Sequence, residues 1–393
     1  MMDQAPRDAA YSSKPLNIVA DENIPGLEDW FGDLGNITRL PGRTMTREQL
    51  RDADVLLVRS VTPVNENLLR DTPVRFVGSC TIGTDHLDTV WLEQRGVAWS
   101  AAPGCNANSV VEYVFCALAA LDIDWRDRTF GIVGCGNVGG LLQTRLHQLG
   151  LSVVVYDPWL PDNPDAATLE TVLKQQIVCL HAPLVKAEPH PSLHMLDTAM
   201  LDKLADDAVL ISAGRGAVID NNALLARLQR NPAFTAVLDV WENEPDINLS
   251  LLEQVDLASP HIAGYSHDGK LAGTRMIREA LDLSLGDRSP GLRPVSASHK
   301  DPASETKVIS TEKSGFAAIR DLLLQMYNPR DDDRCLRAAA DAHKQGGLPM
   351  AEAFDLLRKQ YPKRLEFSHF RASTSQLEKS TRQQLTALGL QCS

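Results

Sequence analysis

The sequence predicts an α/β protein with two doubly wound parallel-sheet domains and a small C-terminal α+β domain. Three observations carry that expectation. Short apolar runs alternate with helical stretches in two series, meeting near residue 104. A glycine-rich hexapeptide, Gly134-Cys135-Gly136-Asn137-Val138-Gly139, sits where an apolar run gives way to a helical pattern. A Ser-, Pro- and Gly-rich stretch at 286–314 sets the last part of the chain apart.

Taken in order, Leu16–Ala20 is an apolar run followed by acidic and turn residues, which predicts a first buried strand. Val55–Val58 and Phe76–Gly78 repeat the pattern with helical stretches between, as βαβ units of a parallel sheet do. Val97–Ala102 predicts a further strand, ended by Pro103-Gly104. The helix expected over Asn106–Leu121 is apolar on most faces and therefore deeply packed. The second series places strands at Phe130–Val133, Ser152–Tyr156, Ile177–Leu180, Ala208–Ser212 and Phe234–Leu238, with helices at Val138–Leu149 and Asn222–Arg230 among them. Lys270–Leu285 is helical again and is expected to pack back on the first series. Amphipathic helices are expected at Phe316–Met326 and Ala351–Gln360. The resulting organisation is a disordered leader (1–14), a discontinuous substrate domain (15–103 and 270–285), a dinucleotide domain (104–269), a linker (286–314) and a C-terminal domain (315–393) suited to oligomerisation.

A formal net charge of −12 argues against a nucleic-acid partner, since phosphate backbones need a basic footprint. It leaves room for a small anionic substrate held by a local cluster of cations. No apolar run is long enough for a membrane span, and the first dozen residues lack a signal-peptide shape. The seven cysteines form no C-x-x-C pair and read as reduced thiols of a cytoplasmic protein. His181, His190 and His194 lack the spacing of a metal site, so no metal is expected.

The hexapeptide has a physical logic. Gly134 permits the tight turn, Gly136 lets a pyrophosphate approach the backbone, and Gly139 allows close helix–strand packing. The helix opening at Asn137 and Val138 offers free N–H groups to phosphates. Asp157 ends the next strand, where a carboxylate accepts hydrogen bonds from ribose hydroxyls and repels a 2′-phosphate. These features predict a Rossmann-type domain that binds NAD rather than NADP.

Three later segments follow strands of the same series: Ile211–Gly216, Val237–Pro245 and Ser259–Tyr265. They bring Arg215, Glu244 and His261 to the carboxyl ends of strands, where open α/β sheets bind ligands. Oxidising an alcohol needs a base for the hydroxyl proton while hydride leaves carbon. An imidazole suits that role. A carboxylate bonded to the imidazole orients it, and a guanidinium grips a substrate carboxylate through two parallel hydrogen bonds.

The stretches GCGNVG, ISAGRGAVID, LDVWENEP and SPHIAGYS resemble the D-isomer-specific 2-hydroxyacid dehydrogenases over roughly residues 15–285. The resemblance implies the roles just given to Arg215, Glu244 and His261, with His261 as proton donor in the reducing direction. It also implies a flavodoxin-like substrate domain. A narrower similarity runs through Ala20–Pro25, Leu57–Thr62, Gly83–His86, Ala102–Asn106, His261–Tyr265 and Phe354–Tyr361. It points to members that oxidise 4-phospho-D-erythronate at C2 during pyridoxal 5′-phosphate synthesis and form homodimers through a C-terminal domain. That similarity implies substrate contacts at Ser60, Thr81 and Tyr265. It implies NAD contacts at Asp157, Asp239, Gly264 and the backbone of Ala213 and Gly214. Ala182 stands where a threonine is familiar, so a backbone contact remains and a hydroxyl contact is lost. Arg59, beside Ser60, is the candidate for the substrate phosphate. The alternatives are another dehydrogenase of this chemistry, such as one acting on phosphoglycerate, or a non-catalytic NAD-sensing regulator.

Overall fold

The computed structural model describes residues 14–286, 306–373 and 375–393. The expectations for residues 1–13 and 287–305 lie outside the described residues. The chain forms two compact units. The first takes the residues up to Asn106 and those from Asp268, and the second takes Ala107–His267 with the C-terminal segment.

The first unit holds β1 (Leu16–Asp21), β2 (Gly35–Leu40), β3 (Val55–Val58), β4 (Phe76–Ser79) and β5 (Ala98–Ser100) in one parallel sheet, ordered β2-β1-β3-β4-β5. This is the flavodoxin-like order. Strands β3 and β4 are buried along their whole length, which explains their unbroken apolar runs. Val58 pairs with Ser79, so Arg59 and Cys80 leave the sheet side by side. The helix His267–Leu285 sets Ile277 and Leu281 into the cluster built by Ile18, Val55 and Phe76. Its Gly273 presses on β4: a Cβ there would stand 2.8 Å from the Cys80 carbonyl oxygen.

The second unit holds β6 (Phe130–Val133), β7 (Val153–Tyr156), β8 (Ile177–Leu180), β9 (Val209–Ser212), β10 (Thr235–Leu238) and β11 (Leu257–Ala258), ordered β11-β10-β9-β8-β6-β7 and parallel throughout. A single bridge from Val155 to Ala166 stands where a further strand would extend this Rossmann-type sheet. The strand order reverses between β6 and β8, and such switch points are where these sheets bind nucleotides. The helix Ala107–Ala120 is buried at every position except Asn108, as its apolar faces require.

The C-terminal segment forms the expected small α+β unit and corrects one boundary. Lys307–Ile309, assigned to a linker, forms β12, which pairs with β13 (Phe370–Ala372), itself paired with β14 (Gln391–Cys392). Among the described residues, its helices pack their apolar faces into the cores of the second unit. Ala318, Ile319, Leu322 and Leu323 of the helix Gly315–Met326 join the cluster of Val114, Phe115 and Ile132. Leu336, Met350 and Phe354, from the helices Pro329–Lys344 and Met350–Lys359, join the cluster of Leu252 and Val255. Each of the Leu, Ile, Met and Phe side chains contributes roughly 1.5–3 kcal/mol by burial, so these helices and the dinucleotide sheet stabilise one another. No helix among the described residues is long and apolar enough to cross a membrane.

Candidate active site

The glycine loop follows β6 and leads into the helix Asn137–Gln148. Gly134 has φ +85°, and a Cβ there would come within 2.6 Å of the Ala182 backbone. A Cβ on Gly139 would meet the Gly134 carbonyl oxygen at 2.1 Å. Gly136 differs: nothing lies within 4 Å of its Cβ position. The protein itself therefore demands two of the three glycines, and the third faces open space at a helix N-terminus whose first N–H groups no side chain caps. Asn137 is exposed and Val138 half-buried at that terminus. Asp157 ends β7 with Oδ2 accepting the Cys135 N–H at 2.8 Å and Oδ1 accepting the Trp159 N–H at 3.0 Å.

Beside the loop, Ala182 is buried after β8, and a Cβ on Gly214 would stand 2.8 Å from its carbonyl oxygen. Ala213 donates its N–H to the Leu180 carbonyl at 3.1 Å. Both ring nitrogens of His181 are sealed from solvent and meet no hydrogen-bond partner in the protein. Burial pushes its pKa down to about 4, so the ring is neutral. Open space at Gly136, orphaned polar atoms at His181 and a fixed carboxylate at Asp157 fit a bound dinucleotide.

The chemical groups follow β9, β10 and β11, three adjacent strands. Arg215 lies in extended backbone before a turn at Gly216–Val218, and its Nη1 donates to the Gly214 carbonyl at 3.0 Å. Gly216 is required there, since a Cβ would fall 1.9 Å from the Trp241 carbonyl carbon. Glu244 Oε1 accepts the Trp241 N–H at 2.8 Å, and Oε2 stands 2.7 Å from His261 Nδ1. Burial pushes the Glu244 carboxyl up. The charge and hydrogen bond of His261, the Trp241 N–H and the charge of Arg358 outweigh it and hold the group below the usual carboxylate range. The pair is thus an orienting carboxylate and an imidazole whose Nε2 is turned away from it, the arrangement a general base needs.

Asp239 is buried, and its carboxylate accepts from Ser259 Oγ and from the Ile262 and Ala263 N–H groups. It shapes the loop that carries His261 and Gly264. Tyr265 caps the turn, its N–H bonded to the Ile262 carbonyl at 2.8 Å, and its hydroxyl accepts from Arg358 Nη2 at 2.8 Å. Sequence reasoning missed Arg358, an arginine in an amphipathic helix with no local signal of function.

In the first unit, Arg59 and Ser60 follow β3 and Thr81 follows β4. Thr81 Oγ1 lies 2.9 Å from Ser79 Oγ, which is 2.9 Å from His86 Nε2. Lys270, also missed, is half-buried on the helix that packs against Cys80. Burial, with Arg59 as a neighbouring cation, pushes its pKa down to about 8. Ser60, Thr81, Arg59 and Lys270 thus belong to the first unit, and the other candidate residues belong to the second.

Comparison with known proteins bears on the family and the fold. Residues 117–263 match the D-isomer specific 2-hydroxyacid dehydrogenase NAD binding domain, and residues 302–389 match a domain of unknown function. The chain is 50% identical to erythronate-4-phosphate dehydrogenase of Cellvibrio japonicus, over 96% of this chain and 100% of that one. It is 45% identical to the enzyme of that name from Marinobacter nauticus, over 95% and 98%. Among solved structures, NAD+-bound 3-phosphoglycerate dehydrogenase of Entamoeba histolytica superposes with a TM-score of 0.59 at 19% identity, over 68% of this chain and 94% of that one. D-lactate dehydrogenase of Aquifex aeolicus, with NAD and lactic acid, gives 0.56 at 22% identity, over 67% and 94%. These two likenesses speak to the fold.

Proposed function

The chain belongs to the erythronate-4-phosphate dehydrogenase family, and from that premise we propose that it oxidises 4-phospho-D-erythronate at C2. The product is 3-hydroxy-2-oxo-4-phosphooxybutanoate, and the step serves pyridoxal 5′-phosphate synthesis. NAD accepts the C2 hydride. The observation that carries the reading is the 2.7 Å contact between Glu244 and His261, in the unit that also holds Arg215 and the glycine loop.

In this reading His261 Nε2 takes the proton of the C2 hydroxyl. Glu244 fixes the ring through Nδ1 and stabilises the imidazolium that forms. Arg215 grips the substrate carboxylate and polarises the nascent carbonyl. Gly134, Gly136 and Gly139 with the N–H groups of Asn137 and Val138 receive the pyrophosphate, and Asp157 receives the adenosine ribose. Ala182, Ala213, Gly214 and Gly264 contribute backbone contacts to the cofactor, and Asp239 supports them from behind. Ser60, Thr81 and Tyr265 contact the substrate, and Arg59 with Lys270 binds its phosphate. The protein works in the cytoplasm as a homodimer joined through its C-terminal segment.

The test is NADH formation from 4-phosphoerythronate by the purified protein and by His261→Ala. Turnover by the first and its loss in the second are expected. No NADH from the native chain, with turnover of a different 2-hydroxyacid, would overturn the substrate assignment.

A further inference from the structure

We infer that Arg358, from the C-terminal segment, is a positioning residue of the active site: its guanidinium holds Tyr265 and serves as a second cation to the Glu244–His261 pair. This rests on the dehydrogenase reading above.

Helical spacing aims the residue. Met350 and Phe354 are buried at positions i and i+4 of the helix Met350–Lys359, and Arg358 follows at i+8 on the same face. Its Nη2 donates to the Tyr265 hydroxyl at 2.8 Å, and its guanidinium carbon lies 5.4 Å from the centre of the Tyr265 ring. Tyr361 meets the same ring edge-on, with centroids 5.9 Å apart, so Tyr265 is held at its hydroxyl and against its ring. The Arg358 Nε is buried without a hydrogen-bond partner, and the nearest carboxylate in an ion pair with this side chain is Asp355, at 4.0 Å. A pair that distant is a weak one, which leaves the charge of Arg358 able to act on other carboxylates. The groups that bear on Glu244 there are the His261 ring, the Trp241 N–H and Arg358.

This arrangement gives the C-terminal segment a part in the chemistry. A planar guanidinium can donate to the phenol and stack on its ring at once, which an ammonium cannot. Its charge favours ionised Glu244, and ionised Glu244 is what orients His261.

The experiment compares the native protein with Arg358→Met, Arg358→Gln and Arg358→Lys. The Glu244 carboxyl is followed by carbon NMR of glutamate-labelled protein, with its signal assigned by Glu244→Gln, and kcat and KM are measured across pH. In Arg358→Met the Glu244 midpoint moves to higher pH. The acid limb of kcat moves the same way, and kcat/KM falls on the order of tenfold, the scale of one charge-assisted hydrogen bond. Arg358→Lys keeps the low midpoint but raises KM, because Tyr265 loses its stacked donor. Arg358→Gln keeps a donor without the charge and is expected to show the raised midpoint, which decides the matter if Arg358→Met does not fold. An unchanged midpoint and acid limb in the charge-free variants overturns the inference, even where activity falls. The carboxyl titration needs no substrate. Failure of the native enzyme on 4-phosphoerythronate therefore counts against the proposed reaction, and the titration still decides the role of Arg358.

Discussion

The backbone N–H of His261 donates to the carbonyl of Asp239 at 2.8 Å, and the Asp239 side chain pins the residues around that histidine. His261 has φ +57°, a left-handed conformation that a non-glycine residue keeps only where its surroundings over-determine it. Three donors converge on one buried carboxylate to do so. Asp239→Asn puts an amide N–H₂ against at least one of those donors. The expected outcome is a loss of roughly 1–3 kcal/mol in urea unfolding, with kcat falling more than NAD affinity. Unchanged kcat in a folded variant would show that the loop holds its shape without the carboxylate.

Glu244→Gln keeps an oxygen acceptor of the same size and removes the negative charge. The imidazolium formed during oxidation then lacks its counter-ion, and kcat is expected to fall on the order of a hundredfold with little change in NAD binding. Stability carries a second signature. The Glu244 carboxyl is held below its ordinary value of 4.5, so its stabilising contribution is present above that value and is lost as pH falls through the lower folded value. Urea midpoints of the native protein should fall toward those of the variant on acidification below about pH 4.5.

Asp157 is the basis for preferring NAD. Its two oxygens are tied to the Cys135 and Trp159 N–H groups, so the charge cannot swing away from a 2′-phosphate. Asp157→Ser removes that charge. The ratio of kcat/KM for NAD to that for NADP should drop by about tenfold or more, read from initial rates with each cofactor. A constant ratio would place cofactor choice elsewhere.

The features legible in the sequence were those written locally. The apolar runs of β3, β6 and β8 are buried on both faces, and the glycine loop and the segments bearing Arg215, Glu244 and His261 each directly follow a strand. The late helices at Gly315–Met326 and Met350–Lys359 were legible by their amphipathic spacing, but other edge and late elements were not. Strand β2 alternates half-buried and exposed positions in a polar run, and β11 and β14 have two residues each, too few for any periodicity. The helix Pro329–Lys344 hides behind its charges, with Leu336 and Ala340 among its few buried positions. Arg358 and Lys270 reach their neighbours only through tertiary packing, which no spacing rule encodes.

Glu112 makes stability depend on pH in the opposite sense to Glu244. It is buried beside Glu366, and Asn108 Nδ2 donates to both carboxylates, at 2.9 and 2.7 Å. Burial, with the Glu366 charge behind it, pushes its pKa up to about 8. The folded state therefore keeps a proton that the unfolded chain releases near pH 4.5, and stability falls as pH rises through about 8. Glu112→Gln retains the acceptor for the Phe367 N–H and does not titrate. The native protein should lose ground to this variant in urea midpoint between pH 5 and pH 9. A difference that stays constant across that range would mean that Glu112 is ionised throughout.

Lys270 and Arg59 allow the phosphate assignment to be tested by pH as well as by mutation. Two half-buried cations held near each other favour an anion between them. The Lys270 ammonium loses its proton near pH 8, and kcat/KM reports the ionisation of the free enzyme. For the phosphorylated substrate, kcat/KM should therefore decline above about pH 8. Lys270→Met should lower it at neutral pH and abolish that decline. Arg59→Met should raise KM for 4-phosphoerythronate far more than for unphosphorylated erythronate, because only the former presents the dianion. Equal effects of both substitutions on the two substrates would remove Arg59 and Lys270 from the phosphate site and leave them as structural cations of the first sheet.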